Sequence, residues 1–139
     1  MRLLALAAAF AMTPLAASAE SLTGTDWQLL AIDGLFVEIP ATLRLDEPGS
    51  ISGKAPCNRF SGRNQSKFPE LKLQAIASTK MACDRLAEEQ VFFQALGLMD
   101  RLDLDGSNLV LTAPDGRSME FVREPANSLI VCKTCPPTE

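Results

Sequence analysis

Past residue 24 the chain alternates apolar and polar side chains in short runs broken by turn residues, the pattern of an antiparallel sheet. Residues 25–32 read as a first strand, stopped by the turn pair Asp33-Gly34. Residues 35–40 read as a connecting loop. Residues 41–46 alternate strictly, with Ala41, Leu43 and Leu45 on one face and Thr42, Arg44 and Asp46 on the other, which predicts a half-buried strand. Glu47-Pro48-Gly49 turns the chain, and residues 50–54 extend again with Ile51 inward. Gly53 suggests a bulge or a close backbone approach, and Pro56, lacking an N–H, belongs at a strand end or sheet edge. Residues 57–66 are polar apart from Phe60 and read as an edge strand or a tied loop. Leu71 and Leu73 alternate with Lys72 and Gln74 in another short strand.

The period then changes. From Cys83 or Asp84 the pattern predicts a helix, with Asp84 as N-cap and Gly97 as its end. Leu86, Phe93 and Leu96 form its apolar stripe, Phe92, Ala95 and Met99 adjoin it, and Arg85, Glu88, Gln90 and Gln94 stay polar. Period two returns at Leu102 and Leu104. Asp105-Gly106-Ser107-Asn108 turns into residues 109–112, and Pro114-Asp115-Gly116 into residues 118–122. The expected fold class is α+β: a curved antiparallel sheet of about six to eight strands packed around a single helix. Trp27, the one tryptophan, is expected to anchor the core.

The N-terminus changes the picture of where this domain resides. Arg2, an apolar run over residues 3–12 and Ala17-Ser18-Ala19 before Glu20 have the layout of a secretory signal peptide cleaved after Ala19. The run is shorter than the ~20 apolar residues a membrane span needs. Three parts are therefore expected: a signal peptide (1–19), a domain over residues 20–124 and an extension over 125–139. Losing Arg2 with the signal moves the formal charge from −4 to −5. An acidic surface of this kind argues against nucleic acid or anionic lipid as partners. A periplasmic or secreted monomer without a membrane span is expected.

Composition narrows the chemistry. With no histidine in the chain, Ser-His-Asp and Cys-His catalysis and imidazole proton relays are excluded. Four cysteines in an exported chain point to disulfides, with three full pairings open; Cys57 with Cys83 and Cys132 with Cys135 is preferred. The Cys132-Lys133-Thr134-Cys135 spacing has redox precedent, but Pro136-Pro137 follow at once and preclude the helix whose N-terminus would activate a thiol. Asp103-Leu104-Asp105-Gly106 fails as a calcium loop, because Arg101 and Thr112 stand where ligands are needed. Glu88 and Glu89 read as solvent-facing helix residues. No catalytic residue, metal site or cofactor is expected. A binding loop at Asn58, Arg59 and Phe60 is the one candidate site.

These residues resemble the META-domain family. Trp27-Gln28-Leu29 matches its Trp-x-Leu opening, and Gly53, Cys57, Asn58, Phe60 and Gly62 match its glycine-cysteine-asparagine segment. Thr79, Met81 and Cys83 match its Thr-x-Met-x-Cys segment; Glu89, Phe92 and Leu96 match its helix; and Asp105-Gly106 with residues 109–121 match its closing hairpins. Pro56 replaces the family's glycine before Cys57, Asn64 stands where tyrosine is usual, and Cys132 and Cys135 lie outside the pattern. The resemblance implies a sheet-on-helix domain associated with envelope stress or antibiotic tolerance, with no agreed catalytic activity. The function expected is a non-catalytic exported protein that binds or scaffolds an envelope protein or small molecule. The alternatives are a thiol-disulfide redox protein using Cys132 and Cys135, and an inhibitor of a secreted hydrolase.

Overall fold

A computed structural model describes residues 22–46 and 49–123. Residues 1–19, expected to be a signal peptide, the Glu47-Pro48 turn and the expected C-terminal extension with Cys132 and Cys135 lie outside the described residues.

The alternating runs become strands, joined by two short ones that the sequence pattern did not predict, at residues 35–36 and 77–78. They are β1 (Asp26–Ile32), β2 (Leu35–Phe36), β3 (Thr42–Asp46), β4 (Ser50–Lys54), β5 (Arg59–Arg63) and β6 (Ala77–Ser78). The helix α1 (Leu86–Leu96) follows, and then β7 (Arg101–Asp105), β8 (Asn108–Thr112) and β9 (Ser118–Arg123). All pair antiparallel in one nine-stranded sheet ordered β6-β5-β4-β3-β1-β9-β8-β7, with β2 added beside β1. Neighbours in sequence are mostly neighbours in space. Two departures shape the sheet: β6 and β7 lie at opposite ends of the strand order, and β9 closes against β1 and so joins the N-terminal and C-terminal meanders.

Period-two burial places one face of this curved sheet over a single core. Trp27, Leu43, Leu45, Ile51, Leu102, Leu109, Leu111, Met119 and Phe121 are essentially sealed from water, together with Phe92 and Leu96 of α1. Burial of large apolar side chains stabilises by roughly 1.5–3 kcal/mol each relative to exposure, which is what holds the sheet's curvature onto the helix. Phe60, Phe92 and Phe93 meet with ring centroids 5.4–5.5 Å apart in tilted and edge-on arrangements. The Arg123 guanidinium stacks over the Trp27 ring at 5.4 Å.

Four expectations of local structure are corrected. Residues 35–40 are not all loop, because Asp33 and Gly34 both hold positive φ (52° and 76°) and form a tight turn that pairs Leu35 and Phe36 back onto β1. Residues 71–74 do not form a regular strand. They form a strap between the two ends of the sheet: Asn64 bridges to Leu73, and Glu70 bridges to Arg101. The helix begins at Leu86 with Arg85 at the N-cap and no side-chain cap, so Asp84 does not cap it. Its buried stripe is Glu89, Phe92 and Leu96, while Leu86 is exposed. Gly97 ends it as expected, with ordinary right-handed φ.

The strap owes its shape to Asn64, whose buried side chain donates to Glu70 O at 2.7 Å and accepts from the Lys72 N–H at 2.6 Å. Two hydrogen bonds from one short side chain replace ladder bonds that an irregular segment cannot make.

Gly53 meets the expectation of a close approach. A Cβ added there would collide with the Thr42 carbonyl oxygen and stand 2.9 Å from the Phe60 ring. The regular β3–β4 register runs out at Arg44 and Ser52, and the Lys54 N–H turns to the Thr42 hydroxyl at 3.1 Å. A backbone oxygen cannot step aside as a flexible side chain can. Gly53→Ala is therefore expected to lower unfolding free energy by about 2–3 kcal/mol in urea titration. Gly62→Ala is the contrast. Its nearest new neighbour is the Ile51 side chain at 3.3 Å, and a loss below about 1 kcal/mol is expected.

Candidate functional site

Three segments distant in sequence converge where β5 begins, beneath the start of α1. Pro56 stops β4 from continuing, and residues 55–58 form a tight bend in which the Ala55 N–H donates to Asn58 O at 2.7 Å. Residues 79–83 run alongside, and Cys57 is bonded to Cys83 with their Cα atoms 5.7 Å apart, inside the usual disulfide range. This is the preferred pairing for that half of the cysteines.

Beneath the disulfide lies a closed polar knot centred on Glu89. Its carboxylate accepts the backbone N–H groups of Cys57 and Asn58, both at 2.8 Å, on Oε2, and the Asn58 side-chain amide at 2.6 Å on Oε1. Asn58 uses its other atoms as fully. Its Oδ1 accepts the Met81 N–H at 2.6 Å and the Thr79 hydroxyl at 2.9 Å, while Nδ2 also reaches Met81 O at 3.3 Å. Thr79 Oγ1 in turn accepts the Arg59 N–H at 3.2 Å, and the Thr79 N–H donates to Arg59 O at 3.0 Å. Glu89 is therefore not solvent-facing as expected. It is 7% exposed and Asn58 is 5% exposed. A buried carboxylate is tolerable because several donors replace its water. Glu88, one position earlier, does face outward and pairs with Arg85 at 2.9 Å.

The expected binding loop divides. Asn58 and Phe60 are buried, the first in the knot and the second against the helix aromatics, whereas Arg59 points into solvent. Arg59 lines an open groove of about 370 Å³ on the sheet's outer face, together with Asp26, Thr42, Arg44, Ser52 and Lys54. Hydrogen bonding to Asp26, then the charge of Asp46, raises the Arg44 pKa above its already high ordinary value, so that guanidinium stays charged and engaged.

Among the described residues no group of three or more histidine, cysteine or acidic side chains could hold a metal, and both described cysteines are in the disulfide. Asp103 of the discarded calcium reading pairs with Arg101 at 2.9 Å. No described helix is long and apolar enough to cross a membrane.

The family model of the META domain matches residues 20–126. The chain belongs to the META-domain family. A protein from Burkholderia xenovorans solved by NMR is 26% identical to this META domain, with a TM-score of 0.59 over 75% of this chain and 84% of that one. A second protein solved by NMR is 25% identical, with a TM-score of 0.51 over 69% and 86% of the two chains. No curated protein matches the sequence.

The geometry explains which residues the META pattern names. Cys57, Asn58, Thr79, Met81, Cys83 and Glu89 are the knot; Gly53, Phe60, Phe92 and Leu96 are the packing around it. In this META domain those polar side chains are bonded to one another and to backbone. The sequence reading missed the role of Glu89, although one signal was available. Glu89 lies three residues before Phe92, a spacing that puts both on the same helix face.

Proposed function

We propose that this META-domain chain is an exported, non-catalytic protein that acts by binding in the cell envelope under stress. The observation that carries the reading is the occupancy of its polar motif. Glu89, Asn58 and Thr79 each spend their hydrogen-bonding atoms on internal partners, so none of these three is poised to attack or protonate a substrate. Three further facts favour it. The META family is not a known enzyme family and is often associated with the envelope. A disulfide such as Cys57–Cys83 is of the kind that forms and persists in oxidising compartments. Residues 1–19 have the layout of an export signal. The exposed member of the expected binding loop, Arg59, is where contact with a ligand falls.

Expression of the whole chain followed by fractionation and non-reducing peptide mapping tests this reading. A periplasmic or secreted product starting at Glu20, with Cys57 joined to Cys83, is the expected result. An intact Met1 terminus on a cytosolic, fully reduced chain would sink export. Removing residues 126–139, and with them Cys132 and Cys135, is expected to leave stress tolerance unchanged. If tolerance is lost with Cys132→Ser as well, the protein is a thiol-disulfide exchanger.

A further inference from the structure

The outer face of the sheet carries an electrostatic arrangement that folding does not explain. Lys54 of β4 and Arg59 of β5 are direct cross-strand partners, so two positive charges stand opposite each other on one face. Like charges in that position destabilise a strand pair. The ion pairs among the described residues bring no carboxylate to either: Arg44 takes Asp26 and Asp46, Arg85 takes Glu88, Arg101 takes Asp103, and Arg117 takes Asp115. This occurs on a chain whose formal net charge is −4, where acidic partners are in excess.

The two cations sit at a concavity. At Gly53, Thr42, Phe60 and the glycine approach too closely for any side chain, and all three line the groove. Its volume of about 370 Å³ falls at the low end for small-ligand sites. Thr42 and Ser52 line it beside the cations, as do Asp26 and Arg44, themselves ion-paired at 3.4 Å.

Arg59 is also held in place. Its N–H and C=O are both bonded to Thr79, the preceding residue is locked to Glu89, and Cys57 is tied to Cys83. The polar knot thus presents one guanidinium on a backbone that cannot shift, the condition under which a binding group loses least on association.

We propose that this groove binds a small phosphorylated polyol, such as a sugar phosphate, with Lys54 and Arg59 on the phosphate and Thr42, Ser52 and Asp26 on the hydroxyls. A phosphate monoester carries about −1.5 to −2 charges near neutral pH, which matches two cations; a carboxylate would leave one unmatched. The excess of negative charge elsewhere disfavours long polyanions and leaves a small one admissible. The inference rests on the binding reading above and gives its ligand a chemistry.

Titration of the purified protein at low salt with glucose 6-phosphate, and separately with glucose, is the test. Saturable binding of the phosphate ester, none of glucose, and at least a tenfold loss in the Lys54→Gln/Arg59→Gln double variant are expected. Without ligand, that variant is expected to melt no lower than the parent, because it relieves a repulsion. Arg117→Gln, at a different turn, is expected to bind as the parent does. No saturable binding by the folded parent, or equal binding by the double variant, overturns the proposal. Either result leaves export and cysteine oxidation, measured by fractionation and mapping, standing or falling separately.

Discussion

Glu89→Ala is expected to lower the unfolding free energy by about 3–5 kcal/mol, the largest effect of any single polar substitution in this protein. The carboxylate satisfies three donors: the N–H groups of Cys57 and Asn58, and the Asn58 amide. Alanine leaves the two backbone N–H groups without an acceptor and Asn58 Nδ2 with only Met81 O at 3.3 Å, in a place where Asn58 is 5% exposed. A buried donor left unpaired costs roughly 1–3 kcal/mol. For a domain near 100 residues the thermal midpoint should fall by about 15–30 °C. Glu89→Gln separates charge from shape. Its amide turns an N–H₂ toward groups that are themselves donors, so about 2–3 kcal/mol of the loss should remain. Circular-dichroism melting of both variants checks this. A Glu89→Ala protein within 1 kcal/mol of the parent would mean that water replaces the carboxylate and that the knot is incidental.

Removing the disulfide is the second large effect. Cys57 and Cys83 are 26 residues apart, and closing a loop of that length restricts the unfolded chain by about 3.5 kcal/mol on the chain-entropy account. The Cys57→Ser/Cys83→Ser variant, and the parent in reductant, should both move to lower urea midpoints by that free energy. The slope is expected to alter as well, since the unlinked chain unfolds to a more expanded state. The disulfide and Glu89 both act on residue 57, so their losses should not add. The triple variant is expected to lose measurably less than the two effects combined. Strict additivity would show that the covalent bond and the carboxylate hold different parts of the fold.

Most of the sheet was legible because its signal is local. A strand with one buried face alternates in sequence, and residues 41–46, 101–105 and 118–121 do so without interruption. The turns at Asp33-Gly34, Asp105-Gly106 and Asp115-Gly116 were legible because backbone sterics select those residues. The helix was legible in existence and end, but its rotation was not. Hydrophobic periodicity assigns Leu86 inward and Glu89 outward, and the structure reverses both. Residues 71–74 misled for a similar reason: Leu71 and Leu73 alternate as a strand would, yet the Asn64 side chain holds them as a strap.

The candidate site was legible as a place and not as an arrangement. Cys57, Asn58, Thr79 and Cys83 stood out by residue type, and the cysteine pairing was expected. That Asn58 and Phe60 face inward while Arg59 faces out, and that Lys54 stands opposite it, follow from register. A one-residue slip in pairing would exchange the two faces.

By itself the sequence determined the fold class, the longer strands and the single helix, the absence of imidazole chemistry and the family, since each depends on residue type and near-neighbour spacing. Only the tertiary structure decided that Glu89 is buried, that the META motif closes into a hydrogen-bonded knot, and that two unpaired cations share one groove. Those outcomes depend on donors and charges brought together across roughly 30 residues of chain in the first two cases and on strand register in the third. A carboxylate's preference for water is overturned when the fold brings it two backbone N–H groups and one side-chain amide from a distant segment of the chain.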